Sequence, residues 1–256
     1  MNKLQPTQEF ERWANGFSGC DGGNIAGPIW FCGIEWGGGD TEKTFQFGDV
    51  SKPNAWTDQQ REDCFKKKNP YDQRAIKLYA SIIRSNEKDY AKLAIEKNVF
   101  GTQSDLFKLN LYPISFRHDQ DELWEKWLYD QTGLPTKSMY RAWCQANRFQ
   151  KMKERVQEHK PRLIVCTGYG YLREFIMAFG GVDKSFEPVN EGPIQAESPR
   201  PLSWVPINDG RTILVVTPFL GYRKYDLYSD GLLNLFGEKI AIICETHFGR
   251  TDWMQK

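Results

Sequence analysis

The stretch RLIVCTGYGYLREFIMAFGG, residues 162–181, decides the fold class. Its first residues form a short apolar run, which predicts a buried strand. Gly168 and Gly170 then predict a turn, and LREFIMAF predicts a helix that ends at the two following glycines. A strand, a turn and a helix in this order are typical of a parallel sheet that is covered by helices.

The same alternation of strand and helix continues toward the N-terminus. GPIWFCGI at 27–34 and DLFKLNLYPI at 105–114 predict two more strands, the second of which ends at Pro113. Helical periodicity lies between them from Ile76 onward, and it returns in the long segment 140–160. We therefore expect an α/β fold: a three-layer α/β/α sandwich around a central, mostly parallel sheet of four to five strands.

The C-terminal part completes a single domain that we expect to span residues 1–256. Residues 181–203 are polar and rich in proline, which predicts a loop insertion. The dipeptide Asp209-Gly210 predicts a hairpin turn that leads into a final core strand, and the segment 230–249 predicts a last helix or strand.

Composition and charge exclude several classes of protein. The chain has 256 residues, of which 40% are hydrophobic and 26% are charged, so it is long enough to bury a sizeable core. It contains no apolar run of the roughly 18 residues that a membrane span needs, and its N-terminus does not resemble a signal peptide. We expect a cytoplasmic, monomeric protein without a membrane partner.

Cysteine and histidine usage argues against a metal centre or another cofactor. The six cysteines are scattered and form no C-x-x-C pair, which predicts buried free thiols. The chain has only three histidines, His118, His159 and His247, so a histidine-based metal site is not expected.

Two short segments place cations beside aromatic side chains. They are FKKKN at 65–69 and GYRKYDLY at 221–228, in a chain whose net charge is only +1. This combination suits contact with the phosphates of a nucleic acid together with base stacking. The alternative for each segment is a solvated basic surface.

Three strand ends carry groups that chemistry could use, because function collects at the carboxyl ends of parallel strands. The first presents Glu35 and three glycines, the second presents Asn110, and the third leads into the aromatic and basic loop after Thr217. Each has a structural alternative. Glu35 could be a loop carboxylate, the glycines could form a tight turn, and Asn110 could satisfy backbone groups at a strand end.

Taken together, four segments resemble the uracil-DNA glycosylase superfamily, and in particular its single-strand-selective monofunctional branch. GIEWGGGDTEKTFQFGDV resembles the first motif of that branch, LFKLNLYPISF the second, and VVTPFLGYR occupies the place of the final H-P-S motif. CQANRFQKMKERVQEHKPRLIVCTG is similar to the helix and strand between the second and the last motif. The resemblance runs in the same order from about residue 28 to 230.

The resemblance implies a role for each matching residue. Glu35 falls where the family positions or activates the water that attacks C1′ of the sugar, and Asn110 where it hydrogen-bonds the edge of the flipped base. Phe47 falls on the aromatic that stacks on the base, with Gly33, Trp36 and Gly37 as further base-binding residues. In the final motif, Leu220 or Tyr222 would fill the gap that the base leaves, and Arg223 and Lys224 would hold phosphates.

The departures from the family pattern concern the leaving group. The final histidine of the family, which supports the negative charge on the departing base, is Thr217 here, and the serine of the same motif is Phe219. Trp36 replaces the proline that usually follows the catalytic residue. His118 and Arg223 are therefore the candidates to stabilise the leaving group.

The glycines after Glu35 suggest the substrate that this resemblance implies. In this branch the corresponding segment lies near C5 of the base, and glycines at 37–39 would admit a bulky C5 substituent. We therefore expect a monofunctional glycosylase for a modified pyrimidine, such as a hydroxymethylated or glucosylated one, in base-excision repair or anti-phage defence. The alternatives are a non-catalytic nucleic-acid-binding protein of the same fold, and a different hydrolase on that scaffold.

Overall fold

The computed structural model describes residues 5–20, 22–35, 37–66, 70–116, 124–181, 187–194 and 200–255. Trp36 and His118, which the sequence predicted as site residues, lie outside the described residues. The basic run FKKKN lies outside them from Lys67 onward.

The fold is a mixed α/β structure built on one seven-stranded sheet with the order β1-β3-β2-β4-β7-β6-β5. The strands are β1 Gly22–Gly23, β2 Ile29–Gly33, β3 Leu106–Asn110, β4 Leu163–Thr167, β5 Val189–Ile194, β6 Arg200–Ile207 and β7 Thr212–Thr217. The α/β class and the strands β2, β3 and β4 confirm the sequence prediction.

The prediction of a mostly parallel sheet of four to five strands was wrong at its edges. Strands β3, β2, β4 and β7 are parallel, whereas β1, β6 and β5 pair antiparallel with their neighbours. The predicted hairpin explains part of this, because the short turn at 208–211 can join β6 to β7 only in the antiparallel sense.

The segment 181–203, which the sequence predicted as a loop, contains β5 and the first half of β6. Its prolines suggested a loop, since proline cannot donate to a strand ladder. In the structure Pro193 and Pro201 stand opposite each other in register. The residues without an N–H group therefore share one position in the ladder.

Helices cover the sheet, and the last predicted element is a helix that begins after the cap Ser229 and ends before Gly249. The helices are α1 Gln8–Asn15, α2 Asp58–Lys66, α3 Pro70–Ile82, α4 Tyr90–Glu96, α5 Lys126–Thr132, α6 Lys137–Trp143, α7 Phe149–His159, α8 Leu172–Gly180 and α9 Asp230–Phe248. A π-helical turn, Cys144–Arg148, joins α6 to α7.

Buried side chains form two core clusters, one for each face of the sheet. Along β2, Trp30 and Cys32 belong to the cluster that includes side chains of α1, α7 and α8. Ile29 and Phe31 belong to the cluster that includes side chains of α3 and α9. This alternation is the strand period of two, and it packs helices against both faces.

The six cysteines are free and buried, as the sequence predicted. Among the helices of the described residues, none is long and apolar enough to cross a membrane.

Candidate active site

A cavity of about 850 Å³ opens at the carboxyl ends of the parallel strands. Side chains from β2, β3 and the loop after β7 meet there with the first turn of α3. Its lining residues are Gly33, Glu35, Gly37, Gly38, Gly39, Asp40, Pro70, Tyr71, Asp72, Lys108, Asn110, Ser115 and Phe219. This is the position where open parallel sheets bind ligands.

Gly33 and Asn110 are neighbours in register at the ends of β2 and β3. A Cβ atom on Gly33 would lie 2.4 Å from Oδ1 of Asn110, so only glycine leaves room for the asparagine side chain. Asn110 is buried, with 6% of its surface exposed, and it lines the cavity. The predicted amide therefore lies buried at the cavity wall.

Arg148 fixes the backbone that follows Asn110. This side chain is fully buried and comes from the π-helical turn between α6 and α7. It donates to the carbonyl oxygens of Leu111 (2.9 Å), Asn110 (3.1 Å) and Ser18 (2.7 Å). π-helical turns occur frequently at functional sites, and this one delivers a rigid donor fork to the strand end.

Glu35 reaches the cavity with a side chain that is only 9% exposed. Its Oε1 lies 3.5 Å from Nζ of Lys137, and its Oε2 lies 3.9 Å from Nη2 of Arg141. The two cations are four residues apart on α6 and so share one helix face. They offset the cost of burying the carboxylate charge.

The glycine loop at 37–40 is held by Ser115. The Gly39 N–H donates to Oγ of Ser115 (3.1 Å), the Asp40 N–H to the Ser115 carbonyl oxygen (3.2 Å), and the Ser115 N–H to Oδ2 of Asp40 (3.3 Å). Burial raises the pKa of Asp40, and the hydrogen bond from Ser115 opposes this only in part. A Cβ atom on Gly37 would meet nothing within 4 Å, so the loop leaves open space.

The opposite part of the lining comes from α3, β3 and the loop after β7. Asp72 and Lys108 form a buried ion pair, with Nζ 2.5 Å from Oδ1. The hydroxyl of Tyr71 lies 3.0 Å from Oγ1 of Thr167, and its ring centroid lies 5.6 Å from that of Phe219. The cavity thus combines two aromatic rings with charged and amide groups.

Four predicted site residues, Glu35, Asn110, Gly33 and Gly37, line this one cavity. Phe47, which was predicted to stack on the base, is not among the lining residues. Its ring packs against Trp13 (centroids 5.3 Å apart) and Phe45 (5.1 Å) in the core cluster of α1. Apolar packing with these two rings turns Phe47 away from the cavity.

Thr217 and Leu220, predicted in the final motif, are both buried. Oγ1 of Thr217 donates to the carbonyl oxygens of Pro218 (3.0 Å) and Cys166 (3.4 Å), and the residue does not line the cavity. Leu220, one of the two residues predicted as a wedge into DNA, is 1% exposed and packs in the core with α3 and α9 rather than at the surface. For an aliphatic side chain, burial in that core is more favourable in free energy than exposure to water.

Tyr222 and Tyr225 are the most exposed rings of this loop, at 70% and 65% of their surface, and Cζ of Arg74 lies 3.7 Å from the ring centroid of Tyr222. Arg223 and Lys224 are also exposed. The buried Arg200 holds the loop by donating to the carbonyl oxygens of Lys224 (2.6 Å) and Asp226 (2.9 Å). This backbone therefore presents the rings of Tyr222 and Tyr225 together with two cations to solvent.

Sequence reasoning missed several cavity residues, among them Tyr71, Asp72 and Lys108. One signal was available, because Lys108 interrupts the apolar run of β3 and a buried lysine needs a partner. Within the described ranges, no three His, Cys, Asp or Glu side chains are grouped so that they could hold a metal ion.

Comparison of the sequence with protein-family models and with curated proteins found no match to either. The resemblance to the uracil-DNA glycosylase superfamily thus rests on the four quoted segments.

Proposed function

We propose that the protein is a monofunctional DNA glycosylase with a uracil-DNA glycosylase-like fold, which hydrolyses the N-glycosidic bond of a flipped, 5-substituted pyrimidine. The observation that carries the proposal is that Glu35 and Asn110, from the ends of two adjacent parallel strands, line one cavity. These are the two residues to which the resemblance assigns the water and the base edge.

Glu35 suits the chemistry at the sugar. Cleavage of the N-glycosidic bond builds positive charge on the sugar, and a buried carboxylate can stabilise that charge and accept a proton from the attacking water. Lys137 and Arg141 lie on the side of Glu35 that faces α6 and support its charged form in a buried place. The product is an abasic site in an unbroken strand.

The cavity suits a base that is larger than uracil. Its volume of about 850 Å³ lies in the upper part of the range for drug-sized ligands. Gly37 and Gly38 leave open space beside it, as a C5 substituent requires. We assign the stacking contact to Tyr71 and Phe219, whose rings line the cavity, in place of Phe47.

The loop after β7 suits contact with the DNA strand. Tyr222 offers an exposed ring for stacking or for filling the gap left by the base, and Arg223 and Lys224 offer cations for phosphates. Arg223 and His118 stay the candidates for the leaving group. We expect a monomer that acts on DNA in the cytoplasm, in base-excision repair or anti-phage defence.

The test is cleavage of oligonucleotides, single- and double-stranded, that carry uracil, 5-hydroxymethyluracil, 5-hydroxymethylcytosine or its glucosylated form. We expect alkali-labile abasic sites with at least one substituted base, loss of activity in Glu35→Gln, and impairment in Asn110→Ala. The matched control is Glu245→Gln, a partly buried glutamate that is paired with Arg84 and does not line the cavity. Full activity of Glu35→Gln would refute the assignment.

A non-catalytic DNA-binding function is the second candidate, and one observation favours it. Thr217 stands in place of the family's histidine and is buried away from the cavity. If the oligonucleotides are bound but no abasic site forms with any base, this second function replaces the first.

A further inference from the structure

Asp72 and Lys108 form an ion pair, and both residues line the cavity. Among the described residues, no other ion pair has both partners in the lining. Each residue is 5% exposed, and Nζ lies 2.5 Å from Oδ1. Lys108 is further enclosed by the rings of Trp56 and Phe100, whose centroids lie 4.8 Å and 5.2 Å from Nζ. The pair is therefore held rigidly at the wall.

A contribution to the stability of the fold does not explain why this ion pair is buried at the cavity wall. A buried ion pair contributes little to stability, because apolar side chains of similar volume stabilise a core as well or better. Lys108 moreover lies in β3, whose other residues facing the same core are apolar or belong to the site. The pair places a hydrogen-bond donor and an acceptor side by side in the cavity wall, which apolar side chains cannot do.

The charges around the cavity restrict the kind of ligand that such a pair can bind. The pair itself is neutral, and Lys137 and Arg141, which lie beside Glu35, offset the two further carboxyl groups of the lining, Glu35 and Asp40. With these charges balanced, an anionic substituent gains no net attraction there, whereas hydroxyl groups can still exchange hydrogen bonds with the pair. A carboxylate has about four lone-pair positions, so Asp72 can accept hydrogen bonds from hydroxyls as well as from Lys108.

We propose that Asp72 and Lys108 bind the hydroxyl groups of the substituent at C5 of the flipped base, and so determine specificity for a polyhydroxylated, uncharged substituent such as a sugar. The inference rests on the proposed function, since it names the substituent that the same cavity accepts. Hydrogen bonds to charged groups are stronger than those between neutral groups, so an analogue without the hydroxyls loses the stronger kind of contact.

The experiment measures binding in a Glu35→Gln background, which prevents turnover. The probes are single-stranded oligonucleotides that carry one 5-methylcytosine, one 5-hydroxymethylcytosine or one glucosylated 5-hydroxymethylcytosine. We expect Kd to decrease in that order. In the variant Asp72→Asn/Lys108→Gln, we expect the preference for the glucosylated over the methylated probe to fall about 10- to 100-fold.

A matched control and a second variant keep the result interpretable. The control is Lys77→Gln/Asp230→Asn, which removes a lysine–aspartate pair (2.7 Å) that also involves α3 but does not line the cavity. If circular dichroism shows that the first double variant is unfolded, Asp72→Asn alone keeps an acceptor for Lys108 and should still reduce the preference.

Three results would overturn the inference: no preference for the glucosylated probe in the parent background, an unchanged preference in the variants, or an equal loss of affinity for all three probes. Failure of the proposed function is a separate outcome. In that case the protein with Glu35 intact forms no abasic site, whereas the preference and its dependence on Asp72 and Lys108 remain measurable.

Discussion

Nζ of Lys137 lies 3.5 Å from Oε1 of Glu35, and neither side chain is more than 9% exposed. Lys137 is also packed against Phe116, whose ring centroid is 3.9 Å from Nζ. Removing one partner of a buried pair leaves a charge without compensation, whereas replacing both partners does not. The proposed catalytic carboxylate is thus linked to the stability of α6.

We predict that Lys137→Met lowers the free energy of unfolding by about 3 kcal/mol, because it removes one of the two cations beside the buried Glu35 carboxylate. The double variant Lys137→Met/Glu35→Gln should be more stable than the single variant. Urea unfolding of all four proteins gives the coupling free energy, and strictly additive effects would contradict the pairing. Lys126→Met, at an 87% exposed partner of Asp130, should change stability by less than about 1 kcal/mol.

The second prediction concerns Arg148, whose guanidinium donates to several buried carbonyl oxygens around Asn110. Lysine keeps the charge but cannot reproduce the planar fork. We expect Arg148→Lys to destabilise the protein by several kcal/mol, since each unsatisfied buried group costs about 1–3 kcal/mol. Urea unfolding measures this, with the exposed Arg12→Lys as control. An Arg148→Lys protein as stable as the control would contradict the role.

The strands that the sequence predicted are those that can be recognised from their own residues and the residues next to them in the chain. β2, β3 and β4 are short apolar runs bounded by glycine or proline, and β7 follows a recognisable turn. β5 and half of β6 escaped prediction, because their prolines indicate a loop. Only the pairing of Pro193 with Pro201, which depends on distant parts of the chain, makes those prolines compatible with a strand.

The residues of the candidate site likewise differ in whether the sequence could predict them. Glu35 and Asn110 could be predicted because parallel strands bring their carboxyl ends together. The contact of Asp72 with Lys108 joins residues that are 36 positions apart, and the packing of α3 on the sheet decides it. The packing of Phe47 against Trp13 could not be predicted for a similar reason, since Trp13 comes from α1.

The third prediction concerns the pH dependence of stability. Burial raises the pKa of Asp40 above its ordinary value of 3.8, so the folded protein binds more protons here than the unfolded chain does. This group therefore lowers the free energy of unfolding as pH rises from 3.8 through the raised pKa. The variant Asp40→Asn lacks this titrating group and therefore this decrease in the free energy of unfolding. Its free energy of unfolding relative to that of the parent should increase over the interval and then stay constant.

Urea unfolding between about pH 2.5 and about pH 7 tests this sign. Asp49→Asn is the control in the same region, because the hydrogen bonds from Ser51 lower the pKa of Asp49. Its stability relative to the parent should decrease as pH rises from below 3.8. Equal pH profiles for both variants would contradict the burial of Asp40.

The fourth prediction uses the open space at Gly37, where a Cβ atom meets nothing within 4 Å and the backbone is not left-handed. Gly37→Val should fold normally but occupy the space that we assign to the substituent. We expect the ratio of kcat/KM for a glucosylated over a hydroxymethylated base to fall about 5- to 100-fold, as overpacking costs 1–3 kcal/mol. Gly231→Val, also in open space but outside the cavity lining, should leave the ratio unchanged.

The last prediction separates stacking from charge in the loop after β7. Tyr222→Ala should weaken binding of single-stranded DNA about 5- to 100-fold, since stacking on one base is worth 1–3 kcal/mol, without changing the salt dependence. Arg223→Gln/Lys224→Gln should instead reduce the slope of log K against log salt by about 0.7 for each phosphate that the variant no longer neutralises. The control for the ring is Tyr129→Ala, a 45% exposed tyrosine on α5. Fluorescence anisotropy at several salt concentrations measures both quantities, and a Tyr222→Ala protein that binds like Tyr129→Ala would remove this ring from the interface.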